Sequence, residues 1–261
     1  MNKRPIEEAS GKRVLLESLF WFGLPGVLIL VCVYWLVPAL NGAGIPLLHA
    51  WTLSVVGPTV LNAALVAFYY ARTEPPDRSG FIRRFRLQAP AWRTVVLVPL
   101  LATVILVLNE SLSWTIPFIR SLPWVVTPPV QPALFADPYA ALDAAGPAAF
   151  MGVALDDSAW WVVPYWIVLW VLLAVIAEEF VWRGYLLPKQ EAVWGRRAWL
   201  VNGLLWNVPF HLYTFPAVIA DMPFFLLLPM ATQWVRNTWF AVMVHALLVS
   251  LALILILGRI P

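Results

Sequence analysis

Residues 159–187 read AWWVVPYWIVLWVLLAVIAEEFVWRGYLL, an unbroken apolar run whose only charges, Glu178, Glu179 and Arg183, come near its end. A helix needs about 20 apolar residues to cross the hydrocarbon core of a bilayer, and this run exceeds that length. Working outward, the same standard is met at about 17–40, 51–71, 94–114 and 199–219, and the run at 238–258 makes a sixth. A shorter stretch, 222–235, contains Pro223 and Pro229 and reads as a thin or broken helix that protein neighbours shelter at membrane depth. The expected fold class is all-α, a polytopic transmembrane helix bundle of about seven spans.

Composition agrees. Of 261 residues, 62% are hydrophobic and 12% are charged, where a soluble domain carries about 25% charged residues. Mean hydropathy is +0.80. The 16 Trp residues fit side chains that collect at membrane interfaces. The net charge of +3 calls for no nucleic acid, because the basic residues lie in short loops between apolar runs and set topology there. The one cysteine, Cys32, excludes an intrachain disulfide, so packing must hold the fold. The first apolar run lacks a convincing small-residue cleavage site after it and reads as a retained helix.

With the N-terminus cytoplasmic, inside segments hold 15 of the 17 basic residues, and only Arg120 and Arg259 fall outside. That is the bias of the positive-inside rule, and it sets the expected orientation. A Pro-rich outer segment, about 115–158, carries Asp137, Asp143, Asp156 and Asp157. It separates an N-terminal three-helix region with this loop (1–157) from a C-terminal group of helices (158–258).

Ionisable residues at membrane depth are costly and are functional candidates by default. Glu178 and Glu179 close the fourth run, His211 lies in NGLLWNVPFHLYTFP, and His245 lies in NTWFAVMVHALLVS. At about 1.5 Å per residue, Glu178, His211 and His245 come roughly 13, 18 and 13 Å from the cytoplasmic ends of their helices. Three groups far apart in sequence thus reach one level in the inner half of the bilayer, which favours a shared site. Glu179 and Arg183 are four apart on a helix and can neutralise one another. Glu178 lies on a different line, free to face a cavity. A carboxylate in a low-dielectric cavity is a better base than in water, and a neighbouring His can share or position the water it activates. A further donor can stabilise the oxyanion of a tetrahedral intermediate. Glu178 is therefore read as the base, with Glu179 and Arg183 as a largely structural pair.

No HExxH is present. Two His and one Glu nevertheless form a known zinc set, so Glu178, His211 and His245 are also a candidate site for a divalent metal. The leading reading requires no cofactor, and both ways of activating water stay open at this point. Among the other polar residues, Asn62 and Asn202 read as interhelical hydrogen-bond glue. His49, Asn109 and Glu110 read as interfacial. Arg78–Arg93 reads as a topogenic loop in contact with anionic headgroups.

At these residues the chain resembles the CAAX-processing and bacteriocin-processing (CPBP, or Abi) intramembrane endopeptidases. AEEFVWRG matches their EExxxR signature, and His211 and His245 follow in the order and spacing of the family's second and third motifs. The resemblance covers roughly residues 158–258. It implies a helical intramembrane protease, similar to the type II CAAX prenyl endopeptidase, that cleaves a membrane-associated protein or peptide within the lipid bilayer. It also implies an integral protein, read as one of a prokaryotic plasma membrane, with its site in the cytoplasmic half.

By that resemblance, Glu178 and His211 activate water and His245 holds the oxyanion. The family's Asn one turn after the third-motif His is absent, because Val249 stands there. Asn207, four residues before His211, is expected to supply the missing amide from another helix. The missing Asn keeps a second reading in view, a non-proteolytic scaffold or immunity-type protein of the same fold. A proton-coupled transporter would show two related halves with broken helices, and the sequence has none.

Overall fold

The computed structural model describes residues 11–73, 78–132, 149–258 and 260. Asp137 and Asp143 of the outer segment, the basic residues Lys3 and Arg4, and Arg259 lie outside the described residues.

The chain is an all-α polytopic membrane bundle. Four helical stretches, Gly11–Gly42, Leu47–Thr73, Trp92–Leu112 and Ala159–Phe210, are long and apolar enough to cross a membrane. We call the first two α1 and α2. A short helix, α3 (Arg78–Arg84), precedes α4 (Trp92–Leu112), and α5 (Thr115–Arg120) follows. The fourth stretch divides at Gly195, whose φ of +54° suits a residue without a side chain beyond Cα, into α6 (159–194) and α7 (198–210). Two shorter apolar helices, α8 (Met222–Val235) and α9 (Thr238–Val249), precede the terminal α10 (Ala252–Leu257).

The surface explains why the sequence is so apolar. Phe20, Val27, Trp35, Leu61, Phe68, Leu100 and Val107 are exposed on α1, α2 and α4, as lipid-facing residues should be. One hydrophobic core runs from Trp21 to Ile260 and draws on both the N-terminal helices and the C-terminal group. Polar side chains stitch it together: Asn62 donates to the Trp21 carbonyl, and Asn202 to the Trp182 carbonyl and to Gln190. These match the expected interhelical glue.

The fifth run differs from its expected course. A continuous helix over 199–219 would need backbone N–H donors that Pro209 and Pro216 lack. The chain instead widens into an i→i+5 turn at Trp206–Phe210, stops being helical at His211 (φ −96°, ψ 22°) and continues as a tight turn over Leu212–Ala217. His211 therefore caps α7 and is not a mid-helix residue. Proline in the second helical position and at Pro229 does not break α8, which runs 14 residues.

In the outer segment, Ala149–Phe150 and Val153–Ala154 form a two-stranded hairpin. Its turn residues Met151 and Gly152 both have positive φ, the geometry that suits the right-handed twist of paired strands. Met151 accepts from the Leu48 amide at 2.8 Å, which straps this hairpin to the start of α2.

On the opposite side, the loop after α3 grips the start of α9. The Phe85, Arg86, Leu87 and Gln88 carbonyls accept from Thr238, Trp239 and Asn237. Arg86 adds a two-pronged bridge to Glu191 of α6, at 2.6 and 2.8 Å. This arginine, expected only to set topology, also fixes α6 against the helix that carries His245.

Candidate active site

Glu178 and Glu179 occupy one α-helical turn of α6 (Val175–Glu179), between wider i→i+5 segments at Ile167–Ala174 and Phe180–Leu186. Such widened turns recur at functional sites because they re-aim side chains without ending the helix. Neighbouring helix positions point about 100° apart, so the two carboxylates serve different partners. Glu178 lines a cavity of about 270 Å³ together with His211 and His245. The three residues selected by depth are thus brought to one cavity.

Glu179 does not line the cavity and is fully buried. Its Oε1 lies 2.8 Å from His245 Nδ1, and its Oε2 lies 3.2 Å from Arg183 Nε. The expected Glu179–Arg183 pair is present, and the same carboxylate also holds a candidate catalytic histidine. Arg183 is fully buried as well. Neither of its Nη atoms makes a hydrogen bond among the described residues. Its guanidinium carbon lies 3.7 Å from the centre of the Trp206 ring, a cation–π contact that offsets part of the cost of burial.

Trp206 joins the groups together. Its indole N–H donates to Glu178 Oε2 at 3.0 Å, and its carbonyl accepts from His211 Nδ1 at 2.9 Å. A carbonyl only accepts, so this partner assigns the proton of neutral His211 to Nδ1 and the lone pair to Nε2. The His245 ring lies 5.5 Å from the Trp206 ring and 5.1 Å from Phe224. One tryptophan thus touches the carboxylate, the arginine and both histidines.

Asn207 stands apart from this group. Its amide nitrogen donates to the Val218 carbonyl at 2.9 Å and approaches the Met222 sulfur at 3.3 Å. It does not line the cavity. The expectation that it shares a face with His211 fails because the backbone leaves helical geometry between them. Asn109 is corrected in the opposite sense: expected at the interface, it is buried and lines the cavity. Glu110 is exposed, and His49 packs on Trp161 and meets the Tyr165 hydroxyl, as interfacial residues would.

No three His, Cys, Asp or Glu side chains are grouped to hold a metal ion among the described residues. Glu178, His211 and His245 share a cavity without forming a coordination set. The donor arrangement does not fit zinc.

Residues 159–251 match the family model described as type II CAAX prenyl endopeptidase Rce1-like. Over these residues the chain is similar to that family. The match begins at the first residue of α6, ends just beyond α9, and contains Glu178, Glu179, Arg183, Trp206, Asn207, His211 and His245, but not Asn109. No curated protein and no solved structure matches the chain.

Within the matched segment, three further residues belong to the site: Trp206 contacts Glu178 and His211, and Tyr213 and Asp221 line the cavity. Trp206 had only a faint sequence signal, standing one place before Asn207, the residue singled out four positions ahead of His211. Tyr213 and Asp221 had none, because they follow the break at His211 and reach the cavity only through the turn that a continuous helix would not make.

Proposed function

We propose that the protein is an intramembrane endopeptidase that hydrolyses a peptide bond of a membrane-associated protein. The observation that carries this reading is the convergence of Glu178, His211 and His245, from three helices, on one cavity. In this mechanism a water lies between Glu178 and the Nε2 lone pair of His211. Glu178 takes a proton as the water oxygen attacks the substrate carbonyl carbon. His245, as the imidazolium paired with Glu179, donates from Nε2 to the oxygen that becomes an oxyanion. Collapse of the tetrahedral intermediate expels the amine, which receives the proton held by Glu178. Glu179 and Arg183 act through their neighbours by holding His245 and Trp206.

The basic residues support an orientation with the N-terminus in the cytoplasm, and hence a site in the cytoplasmic half of the membrane. The Rce1-like match supports a substrate of the prenylated CAAX type or another protein with a C-terminal signal.

The test uses protein reconstituted in lipid vesicles with two quenched fluorescent peptides, one farnesylated and ending in a CAAX tetrapeptide, the other an unmodified transmembrane peptide. Cleavage of either by wild type and not by Glu178→Ala is expected. Equal rates with and without Glu178 would overturn the mechanism. The peptide that is cut names the substrate class.

A further inference from the structure

An oxyanion at membrane depth needs preorganised donors, and Glu178, His211, Trp206 and His245 offer few. Carboxylates donate nothing when ionised. His211 has spent its Nδ1 proton on the Trp206 carbonyl. The Trp206 indole N–H is spent on Glu178. His245 presents a donor from Nε2 only when it is charged. The amide that the family places one turn after this histidine is absent, because position 249 is Val.

Asn109 also lines the cavity, but it lies on α4, outside the segment that carries Glu178 and both histidines; within that segment Tyr213 is the candidate donor. It is 4% exposed, yet it lines the cavity with Glu178, His211 and His245, and also lines an adjoining pocket with both histidines. Its ring is held by stacking on His211, 5.7 Å away at an interplanar angle of 28°, and by Trp51 at 6.2 Å. Among the described residues nothing hydrogen-bonds its hydroxyl, which is not among the fully buried unpaired atoms and so keeps some accessible surface. A tyrosine fixed by its ring, lining the cavity and with an unspent O–H, is preorganised for an acceptor that arrives with the substrate.

Resting on the proteolytic reading above, we propose that the Tyr213 hydroxyl is the second oxyanion donor, taking the place of the missing amide beside His245. The donor moves no atoms of its own. It accepts no proton and forms no bond with substrate beyond the hydrogen bond that strengthens as negative charge develops on oxygen.

The experiment compares wild type, Tyr213→Phe, Glu178→Ala and the double variant Tyr213→Phe/Val249→Asn in the vesicle assay, with thermal unfolding measured on each. Phenylalanine keeps the ring on His211 and Trp51 and removes only the donor. The expected result is a fall in kcat of about 100-fold, within the range for loss of one oxyanion donor, with KM and the unfolding temperature little changed. Val249 lines the cavity, so an amide side chain there should restore part of the rate. Full activity of Tyr213→Phe beside an inactive Glu178→Ala would overturn this proposal and leave the protease standing. So would a loss accompanied by a lowered unfolding temperature and no rescue by Val249→Asn, which would assign Tyr213 to packing. Activity in Glu178→Ala would overturn the parent reading.

Discussion

Glu179 and His245 are joined across α6 and α9 by a 2.8 Å contact, and the same carboxylate reaches Arg183 with its second oxygen. One buried charge therefore serves two purposes. It offsets a buried guanidinium, and it fixes the ring of a candidate catalytic histidine through Nδ1, leaving Nε2 for chemistry. Adjacent Glu178 can then act in the cavity without also supporting the helix packing.

Removing one side of the buried pair should cost far more than removing both. Glu179→Ala leaves Arg183 uncompensated and is expected to destabilise by about 3–5 kcal/mol, as is typical when a buried ion pair loses one partner. Glu179→Leu combined with Arg183→Leu should recover much of that loss while leaving His245 unheld and the enzyme inactive. Unfolding temperatures in detergent, read beside vesicle activity, separate the two effects. A double variant as unstable as the single one would show that the pair itself stabilises the bundle.

Trp206→Phe keeps an aromatic face for Arg183 but deletes the N–H that holds Glu178. A hydrogen bond to a charged group is worth about 1.5–3 kcal/mol, so a loss of roughly 10- to 100-fold in kcat is expected. Unchanged kcat would mean that Glu178 is positioned without this contact.

Asn207→Ala should leave proteolysis near the wild-type rate. The side chain holds the turn after α7 through Val218, and losing one such hydrogen bond costs about 1 kcal/mol of stability. A loss of activity at full stability would return Asn207 to the site.

Much of the bundle was legible in the sequence because hydrophobic length is what the bilayer selects. Glu178, His211 and His245 were legible for a related reason: an ionisable group at that depth has few structural uses, so ionisability separated them from Asn62 and depth separated them from His49. Tyr213 and Asn109 were not, because an aromatic and an amide at a run's end look like interfacial residues until the backbone is seen to turn. Asn207 misled for the same cause. Its i, i+4 relation to His211 assumed a helix that the widened turn and Pro209 end one residue too soon.

The close approach of α1 to α7 gives a further test of how His211 is placed. A Cβ on Gly26 would overlap the Pro209 carbonyl and crowd the Phe210 Cα, whereas one on Gly23 meets nothing within 4 Å. Gly26→Ala is therefore expected to destabilise by about 1–3 kcal/mol, as overpacking does, and to lower activity by moving the chain at His211. Gly23→Ala should do neither. Equal stability of the two variants would mean that α1 does not brace the site.

The most direct measurement compares the C-termini of membrane proteins, by quantitative proteomics, in cells producing wild type or Glu178→Ala at equal folded abundance. If Glu178 activates water for intramembrane cleavage, a set of C-termini generated within or near the bilayer appears with wild type and is lost in the variant. Identical profiles would contradict that role and leave a non-proteolytic scaffold of the same fold.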